Sequence, residues 1–189
     1  GDSDNFILEM IRNDSVVEFI AYVNKNNYRL ETMIKDNSIY ETNSFLLKNK
    51  ISLLVEYAAF YGSIQIFKYL EINRVQLPQK LWLYAIHSKN AKLIHLLEEY
   101  NIDPQNQLQK LLIESIKCHH NDIFQYIRNI YINYEDSLLI YHLKYYNFYS
   151  LENKSANQSS FYYLCKYDYY LLVEIFLKSH KLSLDQQTI

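Results

Sequence analysis

The sequence predicts an all-α protein, a short stack of antiparallel helix pairs, and three observations carry that expectation. Glycine and proline occur only twice each in 189 residues. A many-stranded sandwich or barrel needs far more turn formers than that, whereas helix pairs do not. Along much of the chain, apolar residues recur at the three- and four-residue spacing of one helix face. Finally, the stretch Tyr57–Leu70 returns downstream in recognisable variants. It reads as two short helices closed around a tight turn at Gly62. The small pair Ala58-Ala59 lets a neighbouring helix come close, and Ile66, Phe67 and Leu70 make the apolar edge of the second helix. A unit this small cannot bury that edge alone, so it must stack on copies of itself.

Taken in order, Phe6, Ile7, Met10 and Ile11 mark the first helix face, and Asn13-Asp14-Ser15 offers cap residues. Val16, Val17, Phe19, Ile20 and Val23 carry a second helix up to Asn24-Lys25-Asn26-Asn27. Residues 5–30 are thus a helix pair suited to capping a stack. Residues 31–50 are an irregular connector rich in Asn, Ser, Thr and Lys, with a helical restart near Asn43-Ser44. From 51 to 136 the repeats are clearest. A shift of 27 residues places Ala58 on Ala85, Ile66 on Leu93, Phe67 on Ile94 and Leu70 on Leu97. A further 30 places Ala85 on Ser115, Leu93 on Ile123, Ile94 on Phe124 and Leu97 on Ile127. Small positions stay small and apolar positions stay apolar.

Pro78 and Pro104 precede the first helices of their units, where proline is tolerated, and Asp103 is a good cap in front of Pro104. Residues 137–189 hold a degenerate repeat, Leu138 to Leu143 with a frayed partner Phe148 to Leu151, and then a last pair. A loop is expected over 152–160. An offset of 106 puts Cys165 on Ala59 and Phe176 on Leu70. The chain is therefore read as a single helical repeat domain over 1–189. It lacks an initiator Met and stops just after a helical segment, so it is expected to be part of something longer.

Composition narrows the function classes. Apolar residues make up 49%, too many for a disordered chain, and no apolar run is long enough to span a bilayer. The net charge of −2, with no Lys/Arg block, argues against a nucleic-acid binder. Two cysteines, Cys118 and Cys165, fit a reducing compartment, so an intracellular, cytoplasmic location is expected. The 20 tyrosines, beside abundant Asn, Lys and Ile, read as compositional bias rather than as a site.

Ala58-Ala59-Phe60-Tyr61-Gly62-Ser63-Ile64-Gln65-Ile66-Phe67-Lys68-Tyr69-Leu70 resembles the ankyrin-repeat pattern of Ala-Ala, Gly-His and a hydrophobic second helix. With Leu81 to His87 and Tyr163 to Tyr170, it is also similar to a divergent N-terminal domain of unassigned function. That domain precedes ordinary ankyrin repeats in large protein families of some unicellular eukaryotes. The resemblance covers nearly the whole chain and implies a helical solenoid and a protein-binding role, with no catalytic residues and no cofactor. Its Thr-Pro-Leu-His start is absent, the matching positions being Leu53-Leu54-Val55-Glu56. Spacings of 27 and 30 fall short of the usual repeat of about 33, and Gly-rich β-hairpins are missing. Plain helix pairs with few or no β-fingers are the expectation.

In such a stack, the two positions after the small pair face the concave side. These are Phe60 and Tyr61, His87 and Ser88, Lys117 and Cys118, and Lys166 and Tyr167. Aromatic, basic and polar groups along one groove suit a protein or peptide partner of unknown identity. The competing expectation is that they pack on the chain's own flanking segments. A structural cap that self-associates is the alternative function. Cys118-His119-His120 with Asp122 carries metal-ligand chemistry, but neighbours on a helix point about 100° apart and do not converge. No metal site is expected there, only a helix end and turn. His87 and His95, read as two turns apart with Glu98-Glu99 following, could form an acid/base pair, but no nucleophile or phosphate loop accompanies them. Trp82 corresponds to Val55 and Leu112, so it is expected to anchor the core.

Overall fold

The computed structural model describes residues 2–34, 43–49, 53–131, 138–149 and 158–180, and the regular elements among them are all helical. The first pair is α1 (Asp2–Arg12) and α2 (Val16–Asn26), followed by the short α3 (Ser44–Asn49). Then come α4 (Leu54–Tyr61) with α5 (Ile64–Ile72), and α6 (Leu81–His87) with α7 (Ala91–Glu99). A 3₁₀ turn at Gln105–Gln107 leads into α8 (Leu108–Lys117), which pairs with α9 (Asn121–Tyr131). The helix α10 (Leu139–Lys144) precedes the last pair, α11 (Gln158–Lys166) and α12 (Tyr170–His180). Among the described residues no helix is long and apolar enough to cross a membrane.

One turn recurs down the chain. Asp14, Gly62, Lys89, His119, Tyr146 and Asp168 have φ of 50°, 70°, 56°, 57°, 56° and 57°, the left-handed conformation that ends a helix and reverses the chain. The next residue's N–H then reaches back five residues: Ser63 to Ala58 O at 3.0 Å, His120 to Ser115 O at 2.9 Å, Asn147 to His142 O at 2.9 Å and Tyr169 to Leu164 O at 2.9 Å. In the Lys89 turn the serine before it takes over, its Oγ accepting from Asn90 N at 3.1 Å. Only one of these turns uses glycine. Asp and His supply the others at some steric cost, and so do Lys and Tyr. This is how a chain so poor in glycine makes so many reversals.

The turns also fix the register. Counting back four residues from each gives Met10, Ala58, Ala85, Ser115, His142 and Leu164, all buried. Ala58, Ala85 and Ser115 do occupy equivalent surroundings. On the second helices, Ile66, Leu93 and Ile123 are buried alike, as are Phe67, Ile94 and Phe124, and Leu70, Leu97 and Ile127. The first helices α1, α4, α6, α8, α10 and α11 pack each against the next in one row. Trp82 is wholly buried in that row and donates its indole N–H to Ile102 O at 2.7 Å, an anchor as the apolar register predicted.

Polar side chains stitch one turn to the next. Asp14 accepts from Gln65 N at 3.1 Å and Ile66 N at 3.0 Å, so the first turn caps α5. Ser63 Oγ donates to Ile11 O, Asn90 Nδ2 to Gly62 O at 3.3 Å, and Asn147 Nδ2 to Ile116 O at 2.9 Å. These bonds lie between repeats that no local sequence rule connects. Glu56 is fully buried, yet its Oε2 accepts from Leu53 N at 3.4 Å and its Oε1 meets Lys80 Nζ at 2.5 Å.

Several local expectations shift. The restart near Asn43 is real: its Oδ1 accepts from Phe45 N at 2.9 Å and caps α3. Residues 35–42 and 50 of the connector lie outside the described residues. Asp103 Oδ1 accepts from Gln105 N at 2.9 Å, so Asp103-Pro104 starts the 3₁₀ turn rather than α8 itself. The loop expected over 152–160 ends early, because α11 begins at Gln158; residues 150–157 are not described. The 158–160 tripeptide Gln-Ser-Ser simply continues into the apolar face of Phe161 and Leu164.

Leu97→Ala is expected to cost about 2–5 kcal/mol by opening a cavity in the seam. Gly62→Ala is expected to cost about 1–2 kcal/mol, since a Cβ at φ +70° is strained and would lie 3.1 Å from Ser88 Cβ. Urea unfolding midpoints of both variants check the register; a change within error for either contradicts it.

Candidate functional site

Because the turns share a register, residues two positions before each turn line up along the row of first helices: Arg12, Phe60, His87, Lys117, Lys144 and Lys166. Residues five positions before it add Tyr57, Tyr84, Glu114 and Tyr141. What organises the middle of this line is a side chain from outside it. Phe45, on α3, stacks on Phe60 with ring centroids 5.9 Å apart and meets Tyr84 edge-on at 5.7 Å. Its ring lies 3.8 Å from that of His87, and Lys117 Nζ stands 5.9 Å over it. Phe60 and His87 stack on each other at 5.2 Å. The pocket is thus an aromatic seat under a basic rim, filled by the chain's own short helix.

Four of the residues expected to bind a partner, Phe60, His87, Lys117 and Cys118, therefore meet at one place. Tyr61 is turned toward the first pair, where Arg12 lies 5.6 Å from the Tyr61 and Tyr57 ring centres and donates to Tyr57 Oη at 2.6 Å. Ser88 is engaged in its own turn, its Oγ donating to Ala85 O at 2.7 Å. Lys166 is exposed, 5.8 Å from the Tyr162 ring. Tyr167 packs in a separate apolar group around Leu143 and Leu164. Beside that group lies an open cleft of about 420 Å³ lined by Phe148 and Asp168 to Leu172.

The electrostatics centre on Glu114. His87 Nε2 lies 3.0 Å from its Oε1, and Lys117 Nζ donates to the same oxygen at 2.8 Å. Burial opposes the carboxylate, but the hydrogen bonds of His87 and Lys117 and the lysine charge outweigh it and hold Glu114 below the usual glutamate value. Burial pushes Tyr84 up to about 12, assisted by the Glu56 charge, and Cys118 up to about 11, assisted by Glu114. Tyr57 is raised by burial as well.

No known family model matches the chain, and no curated protein or solved structure matches it either. The site must be read on its own chemistry.

One sequence reading needs correcting. His87 and His95 are not two turns apart on one helix: the Lys89 turn separates them, leaving His87 in the groove and His95 exposed on α7. His95 Nδ1 lies 3.3 Å from Glu98 Oε2, and Glu98 also accepts from Tyr126 at 2.7 Å and Tyr131 at 3.0 Å. His87 therefore takes no part in the cluster that His95 forms with Glu98. Cys118-His119-His120 is a helix end and turn, with His119 Nε2 3.0 Å from Tyr145 O and His120 buried.

Sequence reasoning missed Arg12, Phe45, Tyr57, Tyr84 and Glu114. Four of these were available from the turn register, by counting back from Asp14, Gly62, Lys89 and His119. Phe45 had only the weak signal of an Asn43-Ser44 cap before Phe45-Leu46-Leu47.

The lowered Glu114 value sets a pH dependence. Its contribution to stability is fully present above pH 4.5, the ordinary value, and is lost as pH falls through the lower folded value. Urea unfolding of wild type and Glu114→Gln over an acid series should show their difference shrinking in that window. A difference constant to the lowest pH would remove Glu114 from this role.

Proposed function

We propose that this chain is a non-catalytic interaction scaffold of ankyrin type, a short solenoid that holds a protein or peptide partner along its concave row of first helices. The observation that carries the reading is α3. A six-residue helix lies on that row and buries Phe45 and Leu46, with a lysine above the Phe45 ring. A groove that accepts a helix of its own chain in this manner has the shape and chemistry to accept a partner's. Anchored aromatics in a dry seat with a charged rim are the usual source of binding energy at such surfaces.

Burial keeps the Tyr57 and Tyr84 phenols and the Cys118 thiol protonated at neutral pH, so none of the three is a poised nucleophile. This supports binding over catalysis, as the overall negative charge favours a protein over a nucleic acid. The likeness to ankyrin repeats rests on the shared turn, the small residues between neighbouring helices and the recurring apolar second helix. An intracellular setting fits the two free cysteines.

A second reading, a terminal or self-associating structural unit, has its own observation. Tyr146, Phe148, Tyr149, Tyr170 and Leu171 are all exposed at the α10–α12 end. Light scattering separates the two readings: self-association gives a mass that rises with concentration and falls back in Leu171→Lys.

For the scaffold, a photo-crosslinking residue at Lys144, exposed on the first-helix row, captures the partner, and one at Lys68 on the second-helix row does not. Phe45→Ala, which vacates the seat, strengthens capture, and Lys117→Glu weakens it. Capture from position 68 alone, or indifference to both substitutions, counts against the groove.

A further inference from the structure

Beneath the Phe45 ring, the tertiary structure gathers three side chains of metal-ligating type that the sequence keeps apart. His87 ends α6, while Glu114 and Cys118 lie one helical turn apart at the end of α8 and share a face. One ligand atom from each lies within 4.8 Å of the others. We propose that His87, Glu114 and Cys118 form a three-ligand site for a thiophilic divalent cation of the zinc class, completed by water.

Distances support this. A tetrahedral zinc ion, with bonds of about 2.0–2.1 Å to nitrogen and oxygen and about 2.3 Å to sulfur, sets N···O near about 3.3 Å and S···N near about 3.6 Å. Here His87 Nε2 is 3.0 Å from Glu114 Oε1 and 3.8 Å from Cys118 Sγ. The sulfur is as close to Nδ1, at 3.7 Å, as to Nε2, so it meets the face of the ring, and the imidazole must turn until its Nε2 edge points between sulfur and carboxylate. One imidazole, one carboxylate and one thiol match the mixed donor sets of three-ligand zinc sites, and the i, i+4 spacing of two ligands on one helix face is a common way to present them. Phe45 and Phe60 close over the imidazole, so the ligands are half-buried rather than free on the surface.

Two local groups resist the ion. The Cys118 proton must leave to solvent when sulfur binds the metal, and the Lys117 ammonium must release Glu114. Lys117 is long and its side chain is 43% exposed, so it can swing away into water. It acts as a stand-in cation until the metal arrives. That competition gives the proposal a signature that a plain hydrogen-bonded cluster lacks.

The test uses reduced protein titrated with Co²⁺, whose thiolate-to-cobalt charge transfer absorbs in the near ultraviolet and is displaced by Zn²⁺. Wild type and Cys165→Ser should show the band at one equivalent, and Cys118→Ser and His87→Gln should lose it. Lys117→Ala should bind more tightly. Zn²⁺ should raise the unfolding midpoint of wild type and leave that of Cys118→Ser unchanged. The assignment is overturned if no saturable band appears, or if the band survives in Cys118→Ser. It is equally overturned if His87→Gln keeps the band, which would hand the ion to His119 or His120. An affinity for Lys117→Ala equal to or below that of wild type would remove Glu114 as a ligand.

Discussion

The left-handed residue that closes each helix pair is the constraint on which the rest depends. It ends one helix and reverses the chain within three residues. The turns are also stacked on one another: a Cβ at Gly62 would sit 3.1 Å from Ser88 and 3.3 Å from Asn90. That closeness sets the spacing of the row. Once the spacing is set, small side chains at Ala58, Ala85 and Ser115 fit the middle first helices α4, α6 and α8, and large apolar ones their second helices. Hydrogen bonds accepted by Asp14 and donated by Ser63, Asn90 and Asn147 then join adjacent turns where backbone pairing is lacking.

The groove follows from the same constraint. Because every first helix ends at the same height, residues two before the turn form a line rather than a scatter. Such a line is partly apolar, and exposing Phe60, Tyr84 and His87 together would cost free energy. The short α3 removes that exposure by inserting Phe45. A groove plugged by a six-residue helix that buries Phe45 and Leu46 is cheaper to reopen than one sealed by a full repeat, because fewer side chains must leave the core. The geometry thus keeps the surface dry while leaving it available.

Charge in this molecule is placed where it is neutralised. Glu56 is buried against Lys80 and the start of its own helix, and Glu114 is held between His87 and Lys117. A buried carboxylate without a partner would carry a large desolvation penalty. Lys80 comes from the unit after Glu56 and His87 from the unit before Glu114, so both contacts tie neighbours together. The Glu56 charge also helps to hold the Tyr84 phenol protonated, as Glu114 does the Cys118 thiol.

The sequence alone determined that the chain is helical and which residues repeat. Apolar spacing and the scarcity of glycine and proline act locally, so they can be read from one strand of text. The register of Ala58, Ala85 and Ser115 was legible for the same reason, and so was the burial of Trp82. Only the tertiary structure decided that Phe45 fills the groove, that His87 meets Glu114 and Cys118, and that His87 and His95 part company. Those contacts span about thirty or forty residues and depend on how far one turn rises above the last. That rise comes from side chains packing between repeats, and no local pattern encodes it.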